Sequence, residues 1–294
     1  MSRSGKNHHP NSRHNQPYDF KKLVAVVPEL KPLLVKNPAG QTTILFHDAN
    51  AVRLLNKALL LSEYAITYWD IPAGQLCPPI PGRADYVHYL ADLIAADGAT
   101  KDKNILDVGV GCSLIYPILG AAIYGWSFVG SDVADEALTN ARKIVEQNAL
   151  LRSRVTLRLQ RDQSLVLKNI IQTTDYFDAV MCNPPFFKSK EEANAQSNRK
   201  LVNLGLQNGK GQRNFGGRSN ELWYPGGELR FVSTMIKEST LFKEQVGWFT
   251  SLISNKDNLH PLQKLLKKNA AEEIEVVKMQ QGNKQSRFLA WKFA

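Results

Sequence analysis

Short runs of apolar and β-branched residues alternate with helical patterns from residue 103 onward. KNILDVGVG (103–111), WSFVGSDV (126–133) and RVTLRLQ (154–160) are the first three runs. The clearest amphipathic helix pattern, ADEALTNARKIVEQNAL (134–150), lies between the second and the third. Strands that are separated by helices pair in parallel, with helices on both faces of the sheet. The sequence therefore predicts an α/β domain built on a mostly parallel sheet.

Four more apolar runs complete a predicted sheet of seven strands. They are YFDAVMCN (176–183), VGWFTSLIS (246–254), EEIEVVKM (272–279) and RFLAWKF (287–293). Helical patterns at 227–239 and 258–269 precede and follow the second of them. No helix separates the last two runs, so we expect them to form an antiparallel edge on an otherwise parallel, Rossmann-like sheet. We place this domain at residues 96–294.

The N-terminal part of the chain has a different character. Residues 1–20 are rich in Asn, Ser, His, Arg and Lys, which predicts a disordered basic tail. Residues 21–95 predict a small helical module. DANAVRLLNKALL has apolar residues at helical spacing with Asp48 as its N-cap, and ADYVHYLADLI predicts another helix.

The bulk composition indicates a soluble protein of a reducing compartment. The 294 residues hold 37 Lys and Arg against 27 Asp and Glu, and the net charge of +10 favours a polyanionic partner. Cys77, Cys112 and Cys182 lie far apart, which argues against a disulfide framework or a zinc site. The uncharged stretch at 114–130 is interrupted by Pro117 and predicts a buried helix and strand rather than a membrane span. We therefore expect a cytoplasmic protein without a metal.

A glycine-rich turn follows the first predicted strand. LDVGVGCS places Asp107, Gly109 and Gly111 at the carboxyl end of that strand, where open α/β sheets bind their ligands. Glycine lets the backbone approach a ligand closely. Leu114 stands where a dinucleotide fingerprint has its third glycine, which argues against NAD or FAD. An acid before the first glycine suits a ligand with a positive amino group instead.

Two more acids follow the next two predicted strands. Asp132 ends the second strand, 21 residues after Gly111, where a carboxylate can accept hydrogen bonds from both hydroxyls of a ribose. Asp162, in LQRDQS after the third strand, can accept a hydrogen bond from an adenine amino group. Together with the glycines, these features resemble a class I S-adenosylmethionine-dependent methyltransferase. The resemblance implies S-adenosylmethionine as cofactor and S-adenosylhomocysteine as product.

The fourth predicted strand ends in MCNPPFF (181–187), where two prolines stop the strand. We expect the amide oxygen of Asn183 and the carbonyl oxygen of Pro184 to accept the two hydrogens of an exocyclic amine. Asn183 is also expected to contact the cofactor, and Phe186 to stack on the base. Two acceptors stabilise the positive charge that develops on the amine, so no strong base is required. Asn-Pro-Pro-aromatic is shared by enzymes that methylate adenine N6, guanine N2 and glutamine amides, so the motif leaves the substrate open.

Four segments together resemble one bacterial family. CPPIPGRADYVHYLADL, ILDVGVGCSLIYPILG, CNPPFF and GGELRFV occur in this order and are similar to the 23S rRNA (adenine(1618)-N6)-methyltransferase family, RlmF. They are more distantly similar to eukaryotic methyltransferase-like enzymes that modify adenine in small nuclear RNA. The resemblance runs from about Phe20 to the C-terminus. It implies methyl transfer to N6 of a specific adenine in 23S rRNA, and it implies that Arg83 binds the methionine carboxylate of the donor.

The polar stretch at 188–220 is the predicted RNA contact, and the helical module at 21–95 is expected to bind RNA as well or to cover the cofactor. The seven basic residues of the polar stretch against two Glu predict a mobile loop beside the active site. The basic residues are Lys188, Lys190, Arg199, Lys200, Lys210, Arg213 and Arg218. We expect a monomer that binds an unpaired or flipped-out base of 23S rRNA, free or in a large-subunit assembly intermediate. Two alternatives stay open: a guanine-N2 rRNA methyltransferase, and a non-catalytic RNA-binding protein on a methyltransferase fold.

Overall fold

The computed structural model describes residues 8–189, 191–192, 223–281 and 284–294. The strands are β1 (Leu34–Lys36), β2 (Thr42–Ile44), β3 (Asn104–Val108), β4 (Ser127–Asp132), β5 (Val155–Leu159), β6 (Phe177–Cys182), β7 (Val246–Leu252), β8 (Glu273–Gln281) and β9 (Lys284–Lys292). The helices are α1 (Phe20–Val26), α2 (Ala49–Glu63), α3 (Ile80–Ala95), α4 (Ile115–Tyr124), α5 (Asp135–Gln147), α6 (Ala149–Arg152), α7 (Gly227–Ser239) and α8 (Leu259–Lys268). Within these ranges, no helix combines the length and the apolar character that a membrane span requires.

Seven strands form one sheet in the order β5-β4-β3-β6-β7-β9-β8. The first five strands in this order pair in parallel. β9 pairs antiparallel with β7 and with β8. The predicted α/β class, the seven strands and the antiparallel edge are therefore confirmed. The chain builds β3, β4 and β5 outward in one direction and then returns to place β6 on the other side of β3, which makes the carboxyl ends of β3 and β6 the switch point of the sheet.

Local sequence explains where several helices begin and end. The Asp48 side chain accepts hydrogen bonds from the backbone N–H groups of Asn50 (2.8 Å) and Ala51 (3.1 Å), so the predicted N-cap of α2 is confirmed. α4 ends at Tyr124, and the C-cap residue Gly125 has a φ of +72°, which is typical of a helix C-terminus. The uncharged stretch at 114–130 thus contains a ten-residue buried helix followed by β4, as predicted.

The helices before residue 96 share a core with the sheet. One continuous hydrophobic cluster contains Leu59 of α2, Leu90 of α3, Ile105 of β3 and Phe288 of β9. The short hairpin of β1 and β2, which the sequence pattern did not predict, contributes Ile44 to the same cluster. The core therefore crosses the expected boundary between the N-terminal module and the α/β domain.

The N-terminal segment differs from the expected disordered tail at residues 1–20. From residue 8 onward the segment packs against the helices, and His9 and His14 are buried, with 3% and 6% of their surface exposed. Nδ1 of His8 lies 2.7 Å from an Asp85 carboxylate oxygen, and Asp85 is fully buried on α3. The segment is held because its polar side chains pair with buried polar groups of the helices, which local composition does not reveal. Residues 1–7 lie outside the described residues.

Candidate active site

The switch point brings the predicted glycine turn and the predicted catalytic motif together. In the ladder between β3 and β6, Val108 is paired with Cys182. Gly109 and Asn183 follow directly, so the two segments leave the sheet side by side. They line a cavity of ≈ 360 Å³ at the carboxyl ends of the strands. This position and size are typical of small-molecule sites in open α/β proteins.

The glycine turn uses backbone conformations that favour glycine. Gly109 and Gly111 have φ values of +78° and +65°. A Cβ on Gly109 would meet no atom within 4 Å, because that side of the turn faces open space. The backbone N–H groups of Gly109 and Val110 both donate to the Ser131 carbonyl at 2.9 Å, which fixes the turn against β4. Leu114, which stands in place of the third glycine of a dinucleotide fingerprint, also has a positive φ of 54°.

Asp132 lies in the cavity lining at the end of β4. One carboxylate oxygen accepts from the Gly111 N–H and the other from the Ala134 N–H, both at 2.9 Å. Burial raises the pKa of Asp132, and the backbone donors oppose that shift. Each carboxylate oxygen has further acceptor capacity, so the group can also receive hydroxyl donors from a ligand.

Asp107 is the most unusual charge of the site. It is fully buried on β3, and neither carboxylate oxygen has a hydrogen-bond partner among the described residues. Burial raises its pKa well above the usual range, the neighbouring Asp132 raises it further, and Arg83 opposes the shift. A buried carboxylate without donors is costly unless a ligand supplies them. Asp107 therefore fits a ligand that carries a positive amino group.

Arg83 reaches the same cavity from α3. Its Nη1 donates to the Tyr116 hydroxyl at 2.8 Å, and its guanidinium lies 5.5 Å from the centre of the Tyr116 ring. Burial raises the pKa of Tyr116 to about 12, so the hydroxyl stays protonated at neutral pH. The tyrosine thus orients the guanidinium toward the cavity without neutralising its charge, which suits an anionic group such as a carboxylate.

The motif after β6 presents an unpaired acceptor. The Asn183 amide oxygen is buried, has no donor among the described residues and belongs to a cavity-lining side chain. Its backbone position is supported by a buried chain of hydrogen bonds. The Cys182 N–H donates to the Tyr86 hydroxyl at 3.4 Å, that hydroxyl bonds Thr250, and Thr250 donates to the Val180 carbonyl.

The predicted base-binding residues of the motif have different positions. Pro185 lines the cavity together with Asn183, whereas the Pro184 and Phe186 side chains are absent from its lining. Pro184 is buried and Phe186 is half-buried. The Asn183 side chain thus lines the cavity, and the Phe186 side chain does not.

Asp162 does not have the predicted contact with the cavity. Its side chain is exposed, and its carboxylate accepts hydrogen bonds from the Ser164 N–H (2.9 Å) and hydroxyl (2.6 Å). Gln160, Gln163 and Ser164 line the cavity at this strand end instead. Asp-x-Ser is a local turn pattern, and this competing interaction is the signal in the sequence that would have corrected the prediction.

One wall of the cavity was not predicted from the sequence. Trp223, Tyr224 and Phe231 line it, together with Arg230. The aromatic cluster WYP before a Gly-Gly pair was its signal in the sequence. Among the seven predicted RNA contacts, Lys188 is exposed beside this wall and is close to Gly227. The other six, which are Lys190, Arg199, Lys200, Lys210, Arg213 and Arg218, lie outside the described residues.

The site fits S-adenosylmethionine on its own geometry. The cavity lining holds a guanidinium, an acid at the end of β4 and an open glycine turn, and the unpaired buried acid Asp107 directly precedes the lining residue Val108. These groups match the carboxylate, the ribose hydroxyls and the amino group of that molecule. Within the described ranges, no three His, Cys, Asp or Glu side chains are grouped to hold a metal ion. The fold and the site together define a class I S-adenosylmethionine-dependent methyltransferase.

Comparisons with known proteins identify the family. The RNA methyltransferase family model matches residues 2–294, so the chain belongs to that family. A Bacteroides fragilis protein named ribosomal RNA large subunit methyltransferase F is 49% identical over 97% of this chain and 98% of its own length. A Klebsiella pneumoniae protein of the same name is 48% identical over 97% and 94%.

Solved structures give the same result. The catalytic domain of human METTL16 in complex with MAT2A 3′UTR hairpin 1 has a TM-score of 0.80 and 30% identity, covering 98% of this chain and 96% of its own. The N-terminal domain of human METTL16 in complex with SAH has a TM-score of 0.77 and 28% identity, covering 98% and 99%. The predicted family resemblance, fold class and cofactor are confirmed.

Proposed function

We propose that this protein transfers a methyl group from S-adenosylmethionine to the N6 amino group of one adenine in 23S rRNA. The observation that carries this proposal is the buried, unpaired Asn183 amide oxygen, which lies at the switch point next to Gly109. An acceptor in this place requires a donor from a ligand, and an exocyclic amine is such a donor.

The relatives support the choice of substrate. Proteins named ribosomal RNA large subunit methyltransferase F align over nearly the whole chain at 48–49% identity. The structural neighbours at 28–30% identity include domains bound to RNA hairpins and to SAH. With the basic excess of the chain, these findings support a ribosomal RNA substrate, free or within a large-subunit assembly intermediate. Because they support a ribosomal RNA substrate, these findings also support a cytoplasmic location.

The chain's own residues would hold the cofactor at the strand ends. Arg83 would bind its carboxylate, Asp107 its amino group and Asp132 its ribose hydroxyls, with Gly109 and Gly111 allowing close approach. S-adenosylmethionine supplies an activated methyl group on its sulfonium. The placement of Asp162 removes the support for its contact with the adenine ring, and Gln160 is the polar side chain at that strand end which lines the cavity.

The motif would then act on the target amine. The Asn183 amide oxygen and the Pro184 carbonyl oxygen accept its two hydrogens, which draws the lone pair out of conjugation with the purine and aligns it. Both oxygens stabilise the positive charge that grows on nitrogen. Phe186 is not part of the cavity lining of the free protein, and it would stack on the base once the base is bound. The methylated nitrogen is cationic and strongly acidic and releases one of its protons to water, so no side chain has to act as a strong base.

The adenine must leave any duplex to reach Asn183, because its N6 group is otherwise engaged in pairing. We infer that Lys188 and the basic residues after it contact the phosphates around the extruded base. The helical module before residue 96 offers a second surface and carries Arg83 into the cofactor site. We expect the protein to bind its RNA and transfer the methyl group as a monomer.

One experiment tests the proposal. Ribosomal RNA from cells that lack this protein is incubated with the purified enzyme and methyl-labelled S-adenosylmethionine, and its nucleosides are identified by mass spectrometry. We expect label in N6-methyladenosine. Label in N2-methylguanosine would establish the guanine enzyme instead, and RNA binding without incorporation would establish a non-catalytic protein.

A further inference from the structure

Trp223 has an unpaired indole N–H in the wall of the cavity. Its Nε1 is buried and has no acceptor among the described residues. The chain has five tryptophans, and the other four indoles all donate a hydrogen bond. The acceptors are the Ser113 carbonyl for Trp69, the Thr100 carbonyl for Trp126, the Asp97 carboxylate for Trp248 and the Ser239 hydroxyl for Trp291. Trp223, the tryptophan whose indole has no acceptor among the described residues, therefore lies where a ligand can supply one.

The backbone holds Trp223 beside the catalytic motif. Trp223 forms a parallel bridge with Phe187, and the Tyr224 N–H donates to the Phe187 carbonyl at 3.0 Å. A Cβ on Gly227 would lie 3.0 Å from the Lys188 side chain, so the two segments are in close contact further along as well. Trp223 is thus fixed against the continuation of the segment that carries Asn183.

The sheet order places Trp223 on the substrate side of the cavity. The segment at 223–227 leads through α7 into β7, which pairs with β6 on the side opposite β3. The ribose-side acid Asp132 is on β4, and the Gln160 strand end is on β5, three strands from β6. At the usual strand spacing, β5 is about 14 Å from β6. The segment that carries the indole therefore adjoins the segment that carries Asn183, both side chains line the same cavity, and the strand ends of β4 and β5 lie on the other side of β3.

An indole N–H can only donate, and the Asn183 amide oxygen can only accept. Adenine presents the matching pair, because its N6 amino group is flanked by an acceptor nitrogen on each edge, N1 on one and N7 on the other. Guanine presents N1–H on one side of its N2 amino group and the acceptor N3 on the other, so only one of its two edges could receive the indole donor, whereas both edges of adenine could. The pair of side chains is thus complementary to adenine.

We propose that Trp223 is a specificity-determining residue that donates its indole N–H to a ring nitrogen of the target adenine while Asn183 holds N6. This inference rests on the proposed function and adds to it a second contact that selects the base. It also explains why, of the five indoles, the Trp223 indole is the one that has no acceptor among the described residues.

The test compares wild type with Trp223→Phe, which keeps an aromatic ring and removes the N–H. Single-turnover methylation is measured on 23S rRNA assembled by splint ligation with adenosine, 1-deazaadenosine or 7-deazaadenosine at the methylated position. We expect wild type to lose roughly tenfold in rate on one of the two analogues, the size of one net hydrogen bond. Trp223→Phe should lose roughly tenfold on adenosine and show no further loss on that analogue. Intrinsic effects of the analogue on N6 reactivity occur in both proteins and cancel.

Two controls limit the interpretation. Trp248→Phe removes an indole N–H that is paired with Asp97, near the start of β7 and away from the cavity, so it should leave the rate unchanged. The affinity of Trp223→Phe for S-adenosylmethionine, measured by calorimetry, should equal that of wild type. A lower affinity would mean that the indole contacts the cofactor and would overturn the inference.

The outcomes separate this inference from the proposed function. If wild type methylates adenosine but treats both analogues like adenosine, only the role of Trp223 is wrong. The same holds if Trp223→Phe and wild type lose equally on each analogue. If wild type methylates guanine in the natural RNA, the proposed function and the role of Trp223 are both overturned.

Discussion

Asp107→Asn should change stability and cofactor binding in opposite directions. In the free protein the Asp107 carboxyl is fully buried without a donor among the described residues, and its pKa is raised well above the usual range by burial first and by Asp132 second. At neutral pH, folding must either bury the charge or take up a proton. An isosteric amide stays unpaired but carries no charge, so it removes the extra cost of burying a charged group, and we expect the free energy of unfolding to rise by about 1–3 kcal/mol. The melting temperature should rise on the order of 2–8 °C.

The same change should weaken S-adenosylmethionine binding. Replacing the carboxylate removes a charge-assisted hydrogen bond to the amino group of the ligand, a loss of roughly 1.5–3 kcal/mol. This corresponds to an affinity about 10- to 150-fold lower. Calorimetry gives the affinity, and thermal denaturation without ligand gives the stability. A buried acid with a purely structural role would lose stability on substitution and keep its affinity.

The pH dependence of stability gives an independent measure of the same group. Because the pKa of Asp107 is raised in the folded protein, its contribution to stability is complete below its unfolded pKa and is lost as pH rises through the folded pKa. The stability advantage of Asp107→Asn should therefore grow from pH 5 to pH 8. Asp178→Asn is the matched control, since Asp178 pairs with Lys103 at the opposite end of the sheet. It should lower stability and leave the affinity unchanged. A destabilised Asp107→Asn variant with normal affinity would refute the reasoning.

Three further predictions concern other parts of the molecule. Asn183→Ala should reduce single-turnover rate more than tenfold with nearly unchanged affinity for S-adenosylmethionine by calorimetry; a variant that retains more than a tenth of the rate would contradict the proposed grip on the amine. Neutralising Lys188 and the six basic residues that follow it should reduce the slope of log K against log salt for RNA by about 0.7–0.9 for each phosphate that is no longer bound, while donor affinity serves as the control. Burial lowers the pKa of His14 and of His88 to about 4, so denaturant unfolding should show stability falling as pH drops from 6.5 toward 4, and less so in His88→Gln; equal decreases in both proteins would exclude His88 as a cause.

The periodic elements could be predicted from the sequence because their signals are local. The helix predicted at 227–239 has the same bounds as α7. Each of the five predicted strands that correspond to β3, β4, β5, β6 and β7 differs from the observed strand by only a few residues at its ends. Asp132 was located correctly because parallel topology places successive strand ends at one edge. The position of Asp162 was not predicted correctly, because its carboxylate accepts hydrogen bonds from Ser164, two residues later, and does not line the cavity.

The parts that could not be predicted depend on pairing across long distances in the chain. His8 and His9 look like tail residues in composition, and only the fold shows that Asp85, 77 and 76 positions later, accepts their hydrogen bonds. Trp223 follows a long polar stretch, and only its bridge to Phe187 places it in the cavity wall. In both cases the partner residue lies in a segment that is distant in the sequence.

The unpaired polar atoms of the described residues locate the function more directly than any motif. Only four side chains hold such buried atoms, namely Gln75, Asp107, Asn183 and Trp223. Asn183 and Trp223 line the cavity, and Asp107 precedes the lining residue Val108 and interacts with the charges of Arg83 and Asp132. Unpaired buried groups cost stability, so their concentration at one sheet edge indicates that the free protein is destabilised there. The acid requires a cation, whereas the amide and the indole require the donor and acceptor of a purine edge. Binding of the cofactor and binding of the base therefore pair different buried groups, and each should stabilise the fold independently of the other.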